Sequence, residues 1–192
     1  TLSADGSTVT TGAGATLARV YDAVGRAGRA IAGGSCATVG VTGLTLGGGA
    51  GVLVRSFGLA CDQLIELELV TADGVVHTAS IDSDPELFWA SRGGGGGILG
   101  VVTSLTFATQ PAPTVTEWHY SFPFSAAAAV IAAWQSWAPS SDPRNWSTLK
   151  LLGGLAKHPH GPSVGVSGTW TGPASQLGGQ LAPLLAGLPA PL

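Results

Sequence analysis

Cys36 lies in the stretch GGSCATVGVTGLTLGGGAG over residues 33–51, one thiol among eight glycines in nineteen residues. A cysteine with so little apolar cover can react as a thiolate, and the backbone N–H groups of a glycine loop can stabilise that thiolate or a nearby anion. Two chemistries are open to it beside a structural role. Cysteine hydrolysis needs a histidine base within hydrogen-bond reach, and His77 and His119 are available, although no fixed spacing ties either one to Cys36. The other is covalent attachment of a cofactor whose phosphates the backbone holds. The second cysteine, Cys61 in GLACDQL, sits where a small buried hydrophobe suits the start of a hairpin, with a Cys36–Cys61 bridge as the minor alternative.

Other patterns carry less. Gly95-x-Gly97-x-x-Gly100 has the spacing of a dinucleotide fingerprint, but here a helix precedes the glycines and a strand follows, the reverse of the order that fingerprint needs. Its plainer reading is a backbone that passes close to another segment or a ligand. No lysine follows any glycine run, which excludes a P-loop nucleotide site. His158-Pro-His160 lacks a neighbouring carboxylate or cysteine and reads as a solvated loop, so no metal is assigned. Asn145-Trp-Ser147 fits the glycosylation sequon, which matters only in a secreted chain.

The elements that must position these residues follow from periodicity. STVTTGAG predicts a short strand running into a helix with Leu17, Val20, Tyr21 and Val24 on one face, ending near Gly25 and Gly28. Residues 64–80 predict a hairpin turning at Asp73-Gly74, with Ile65, Leu67 and Leu69 inward and Glu66 and Glu68 wet. SDPELFWASRG predicts a short helix capped by Ser83 or Asp84, with Leu87, Phe88 and Trp89 as its apolar side. GVVTSLTFATQ predicts a largely buried strand that ends at Pro111-Ala-Pro113, the expected domain boundary. Beyond it come a strand in TVTEWHYSFPF, a helix over 126–137, two extended runs around Lys150 and over 164–170, and a glycine-peppered helix over 175–188. The order is that of an α+β chain, with domains over 1–110 and 111–192.

Composition bounds the partners. The 192 residues are 10% charged and 45% hydrophobic, with 30 glycines, 12 prolines and a net charge of −3. No basic field is present to hold a phosphate backbone, which argues against nucleic acid. No apolar run reaches the roughly 20 residues of a membrane span, and no export pattern opens the chain, so it reads as soluble and its compartment, cytoplasmic or secreted, stays open. Without a methionine, the chain is expected to be processed or part of something longer.

The ordered set GGSCATVGVTGLTLGGGAG, RSFGLACDQLIELELVTADGVV and DPELFWASRGGGGGILGVVTSL resembles the berberine-bridge-enzyme-like FAD-linked oxidases of the vanillyl-alcohol oxidase superfamily. The later SFPFSAAAAVIAAWQSWAP and GPSVGVSGTWTGPASQLGGQLAPLL are similar to the opening half of that family's substrate domain. The resemblance implies the C-terminal part of a PCMH-type FAD-binding domain, followed by the start of an α+β substrate domain with an antiparallel sheet. It makes Cys36 a 6-S-cysteinyl FAD attachment point in the Gly-x-Cys-x-x-Val-Gly motif. Thr38, Val39, Gly40, Gly43, Gly47, Gly48 and Gly49 would line the cofactor, Val101 or Val102 would be near its adenine, and Val39 goes with oxygen access. On the first strand of the second domain, Trp118, His119 and Tyr120 could face substrate, with packing as the alternative role.

Family members form a second flavin link through a histidine of an N-terminal loop that these residues do not include, and their catalytic base is likewise expected outside this chain. Ile98-Leu99 stands where Asn-Phe is common, and Cys61 where alanine is common. The implied activity is an oxidase that transfers a hydride from an alcohol or amine carbon of a sugar or secondary metabolite to covalently bound FAD. Molecular oxygen then accepts the electrons and gives hydrogen peroxide. The alternatives are a non-catalytic fragment or degenerate relative acting as a binding or interaction module, and a cysteine hydrolase using Cys36.

Overall fold

The computed structural model describes residues 1–153 and 161–192, in two compact units, Thr1–Ala112 and Pro113–Leu192. His158 and His160 lie outside the described residues. In the first unit β1 (Thr8–Gly12) leads into α1 (Leu17–Gly25). Leu17, Val20 and Val24 return to one helix face and are buried there, as their spacing requires. β2 (Arg29–Ala30) pairs with β6 (Gln110–Pro111) at the end of the unit.

The glycine content of 33–51 argues against regular structure, yet α2 (Val41–Leu46) forms inside the stretch and α3 (Val54–Phe57) just beyond it. Val41, Thr45 and Leu46 of α2 are buried, and that tertiary burial outweighs the poor helix propensity of its glycine.

β3 (Leu64–Val70) and β4 (Val76–Ser80) make the hairpin, α4 (Pro85–Ser91) follows, and β5 (Val101–Ala108) completes an antiparallel sheet in the order β1-β5-β3-β4. Two expectations shift here. Leu64 faces Phe107 and Glu66 faces Thr106, so Ile65 is an extra residue in the ladder; it is 40% exposed while Leu64, Leu67 and Leu69 are buried. In α4, Phe88 and Ser91 point inward, whereas Trp89 is 78% exposed. Three consecutive helical residues span about 200° of arc, too wide for the one face a short helix buries.

In the second unit β7 (Thr116–Pro123), β8 (Asn145–Leu152) and β9 (Ser163–Trp170) form an antiparallel sheet with β9 in the centre. α5 (Ala127–Trp137) and α6 (Leu177–Leu185) contribute Val130, Trp137, Leu181 and Leu184 to a core shared with Trp118, Phe122, Val164, Val166 and Trp170. Ile131 and Trp134 of α5 are half-buried. The Trp134 Nε1–H donates to Ser147 Oγ at 3.0 Å, a polar contact that suits an indole at a core margin. Asn145, the sequon residue, is fully buried and its Oδ1 accepts the Trp118 indole N–H at 3.2 Å, so the folded chain offers no glycan acceptor there. Among the described residues no helix is long and apolar enough to cross a membrane.

Candidate functional site

Cys36 is exposed and free, on a loop that leads into α2. The start of α1 holds that loop. Thr16, at the N-cap of α1, makes no side-chain cap, and the helix's first N–H groups need partners from elsewhere. The loop provides them: Leu17 N–H donates to Val39 O at 2.9 Å, and Ala18 N–H donates to Ala37 O at 3.0 Å. In return Val41 N–H donates to Ala15 O and Thr42 Oγ1–H to Ala13 O, both at 2.9 Å. The backbone around Cys36 is thus fixed at both ends while its side chain stays outside. Thr38 is exposed beside it, and Val39 is half-buried against the core.

Tyr21 lies behind the same loop. Its hydroxyl donates to Gly34 O at 2.7 Å, and burial pushes its pKa up to about 12. A Cβ on Gly33 would come within 2.5 Å of that hydroxyl, and one on Gly51 within 1.7 Å of Gly33 O. These glycines serve the chain's own packing. Gly48 and Gly49 have φ of 105° and 84°, and Gly48 is buried with its carbonyl accepting the Cys61 N–H. Their conformation alone accounts for glycine.

Gly40, Gly43 and Gly47 differ. All three are exposed, and the first two have no protein atom within 4 Å of a Cβ built there. Gly47 would meet nothing nearer than a backbone oxygen at 3.5 Å. Their spacing along α2, three residues and then four, places them on one side of the helix. Gly40 and Gly47 cap α2, where glycine is tolerated, whereas Gly43 lies inside it, and the described residues give no reason for the side chain missing there.

The second glycine run arrives at the same place, for Gly95 N–H donates to Leu46 O at 2.8 Å, at the last residue of α2. Beyond it, an open cleft is lined by Thr71, Gly97, Leu99, Gly100 and Val101. Strand alternation separates the two valines: Val101 is 71% exposed, and Val102 is turned into the core. In the second unit the same alternation buries Trp118 and brings Tyr120 against the helices, leaving His119 exposed on the other face.

Cys61 is buried and unbridged, and burial pushes its thiol pKa up, as a small core hydrophobe would show. His77 Nδ1 lies 3.0 Å from Oδ2 of Asp84, a non-glycine residue with positive φ, and among the described residues no histidine hydrogen-bonds Cys36. Among the described residues the hydrolase arrangement is therefore not formed. Among the described residues no three metal-ligating side chains converge either.

Sequence reasoning passed over Gln63. Its side chain is buried, with Oε1 accepting Ala32 N–H at 2.9 Å and Nε2 donating to Phe57 O at 3.1 Å. Lone glutamines before a strand give no warning of this. Arg92 was likewise unmarked; its Nε–H donates to Cys61 O at 2.8 Å and its guanidinium lies over Phe88.

Residues 1–80 match a family described as FAD binding domain. The FAD-linked oxidoreductase YgaK of Bacillus subtilis is 40% identical over 182 residues, covering 92% of this chain and 39% of its own length. Among solved structures, BBE-like 1 of Physcomitrella patens superposes with a TM-score of 0.89 at 31% identity, over 100% of this chain and 41% of its own. A chitooligosaccharide oxidase gives 0.85 at 26% identity over 100% and 40%, and the Phl p 4 N158H variant, described as a glucose dehydrogenase, gives 0.83 at 30% identity over 95% and 37%. The chain thus spans about two fifths of the length of these relatives.

Proposed function

Because the chain belongs to the berberine-bridge-enzyme-like FAD-linked oxidoreductases, we propose that its first unit holds FAD along α2 and that Cys36 is the attachment point. The observation that carries this is the exposed side of α2. Gly40, Gly43 and Gly47 leave a strip of bare backbone that no other described residue fills, and a free, exposed thiol stands just before it. A flat ring system and a pyrophosphate need that kind of close approach to backbone N–H groups. The residues present therefore fit the cofactor. Gly48 and Gly49 shape the turn after α2, and Val101, the outward one of the valine pair, is the residue available to an adenine.

When bound, FAD supplies a hydride acceptor for a carbon bearing a hydroxyl or amine, with molecular oxygen as final acceptor and hydrogen peroxide as product. The chain's own residues bind and orient. The clamp between the 36–42 loop and the start of α1 fixes the attachment point before any cofactor arrives, which lowers the ordering cost of binding. In the second unit this reading gives the exposed His119 the role of meeting a substrate, while Trp118 is buried in the core and Tyr120 packs against it. Sugar-type substrates fit the two carbohydrate-acting neighbours. A dehydrogenase is the second reading, favoured by the glucose dehydrogenase among those neighbours, while Val39 beside Cys36 supports oxidase activity.

The test is the visible spectrum of the purified protein, followed by acid precipitation. Yellow colour that stays with the polypeptide is expected, and Cys36→Ala should release part or all of it. A protein that takes up no FAD when supplied with it refutes the reading. Oxygen consumption against reduction of an artificial electron acceptor separates oxidase from dehydrogenase.

A further inference from the structure

Resting on the reading of Cys36 as the attachment point, we propose that Gln63 is a positioning residue whose buried amide fixes the frame of residues 33–51 and so sets where the Cys36 sulfur stands. With eight glycines the stretch has few side chains to anchor itself. One planar group does it from inside. Its Oε1 holds the N–H of Ala32, the residue that enters the stretch, and its Nε2 holds the carbonyl of Phe57, at the end of α3 after the chain has left it. The two partners are one donor and one acceptor, so only one orientation of the amide satisfies both.

The backbone next to Gln63 continues the same hold. Ala60 N–H donates to Gly49 O at 2.8 Å and Cys61 N–H to Gly48 O at 2.9 Å, in the tight turn Ala60–Asp62. Gln63 O accepts the N–H of Ala108 at 2.8 Å, which ties the turn to the end of β5. Arg92 adds its bond to Cys61 O just before the run 93–97 begins. Three separate glycine segments, around 33, 48 and 93, are thereby registered on residues 60–63. Gln63 is 6% exposed, so water cannot stand in for its partners.

Gln63→Glu gives a test that a simple loss of stability would not imitate. It keeps the side chain's shape; ionised, it still accepts from Ala32 but cannot donate to Phe57, and protonated it does both. Wild type, Gln63→Glu and Gln63→Leu of the full chain are incubated with FAD at about pH 5 and about pH 8, values that bracket a buried carboxyl. Two quantities are read: the rate at which acid-stable flavin appears, and amide hydrogen exchange of peptides 32–51, each relative to wild type at the same pH. For Gln63→Glu at about pH 8 both should change about tenfold, slower attachment and faster exchange, and both should return towards wild type at about pH 5. Peptides from 116–152 should not change.

Exchange and attachment within twofold of wild type at both pH values overturn the proposal, and so does a defect that acid does not repair. If Gln63→Leu fails to fold, the glutamate variant carries the test. A wild type without acid-stable flavin overturns the attachment reading alone, and the exchange arm then decides the role of Gln63.

Discussion

Gly43→Ala should make the protein more stable and its FAD binding weaker at once. Gly43 is the third residue of the six-residue helix α2, and its ideal Cβ meets no atom of the chain within 4 Å. Alanine in a helix interior is worth about 0.5–1 kcal/mol over glycine, and here no clash subtracts from it. For a chain of this size that raises the apo-protein's melting temperature by about 1–4 °C. The same methyl group would stand between α2 and a cofactor lying on it, and an overpacked contact costs about 1–3 kcal/mol, or about 5- to 150-fold in Kd. Measured by titration in a Cys36→Ala background, where binding is reversible, the FAD affinity should fall by that factor. A Kd within twofold of the parent refutes the placement of the cofactor on α2. Gly51→Ala serves as the contrast: its Cβ would lie 1.7 Å from Gly33 O, so it should lose the fold itself.

Three other outcomes follow from the same geometry. The Tyr21 hydroxyl, pushed up to about 12 by burial, has a folded-state pKa above its ordinary value of about 10, so its contribution to stability is complete below that pH and is lost as pH rises towards 12; the highest step in a tyrosinate absorbance titration should vanish in Tyr21→Phe. Alkylation of the flavin-free protein at about pH 8 should label Cys36 and spare Cys61, whose thiol is buried and shifted upward, as read by mass spectrometry of the two peptides. Asn145→Ala leaves the buried Trp118 indole without its acceptor and should cost about 1–3 kcal/mol in a denaturant titration that follows tryptophan fluorescence.

Much of the scaffold was legible because its signals are local. The 3.6-residue recurrence of Leu17, Val20 and Val24 gives α1, and the alternation around Leu67 and Leu69 with Asp73-Gly74 gives the hairpin. Ile65 was misplaced because a bulge depends on the partner strand, here the register of β5, which a single strand's pattern does not contain. Trp89 was misplaced because a short helix buries fewer positions than its hydrophobic residues offer. α2 was hidden by its composition, since the burial of Val41, Thr45 and Leu46 is a tertiary fact. Cys36 was visible as an anomaly of composition, whereas Gln63 works through partners at residues 32 and 57, and nothing local marks it.

The glycines show why composition alone was ambiguous. Within one stretch they answer three different demands. Gly33 and Gly51 are glycine because the chain crosses itself, and Gly48 and Gly49 because the backbone is left-handed there. Those requirements are met within the chain, so substitution at these positions should damage the apo-protein. Gly40 and Gly47 cap α2, where glycine is well tolerated, but Gly43 lies inside the helix, where a glycine without a reason is a standing cost of about 0.5–1 kcal/mol. A cost that the fold does not require points outside the fold, and Gly43, which carries it, lies seven residues after the exposed thiol. Sorting glycines by what a Cβ would meet therefore separates the residues that hold the loop together from those proposed to face a ligand, a distinction invisible in the sequence, where all of them carry the same letter.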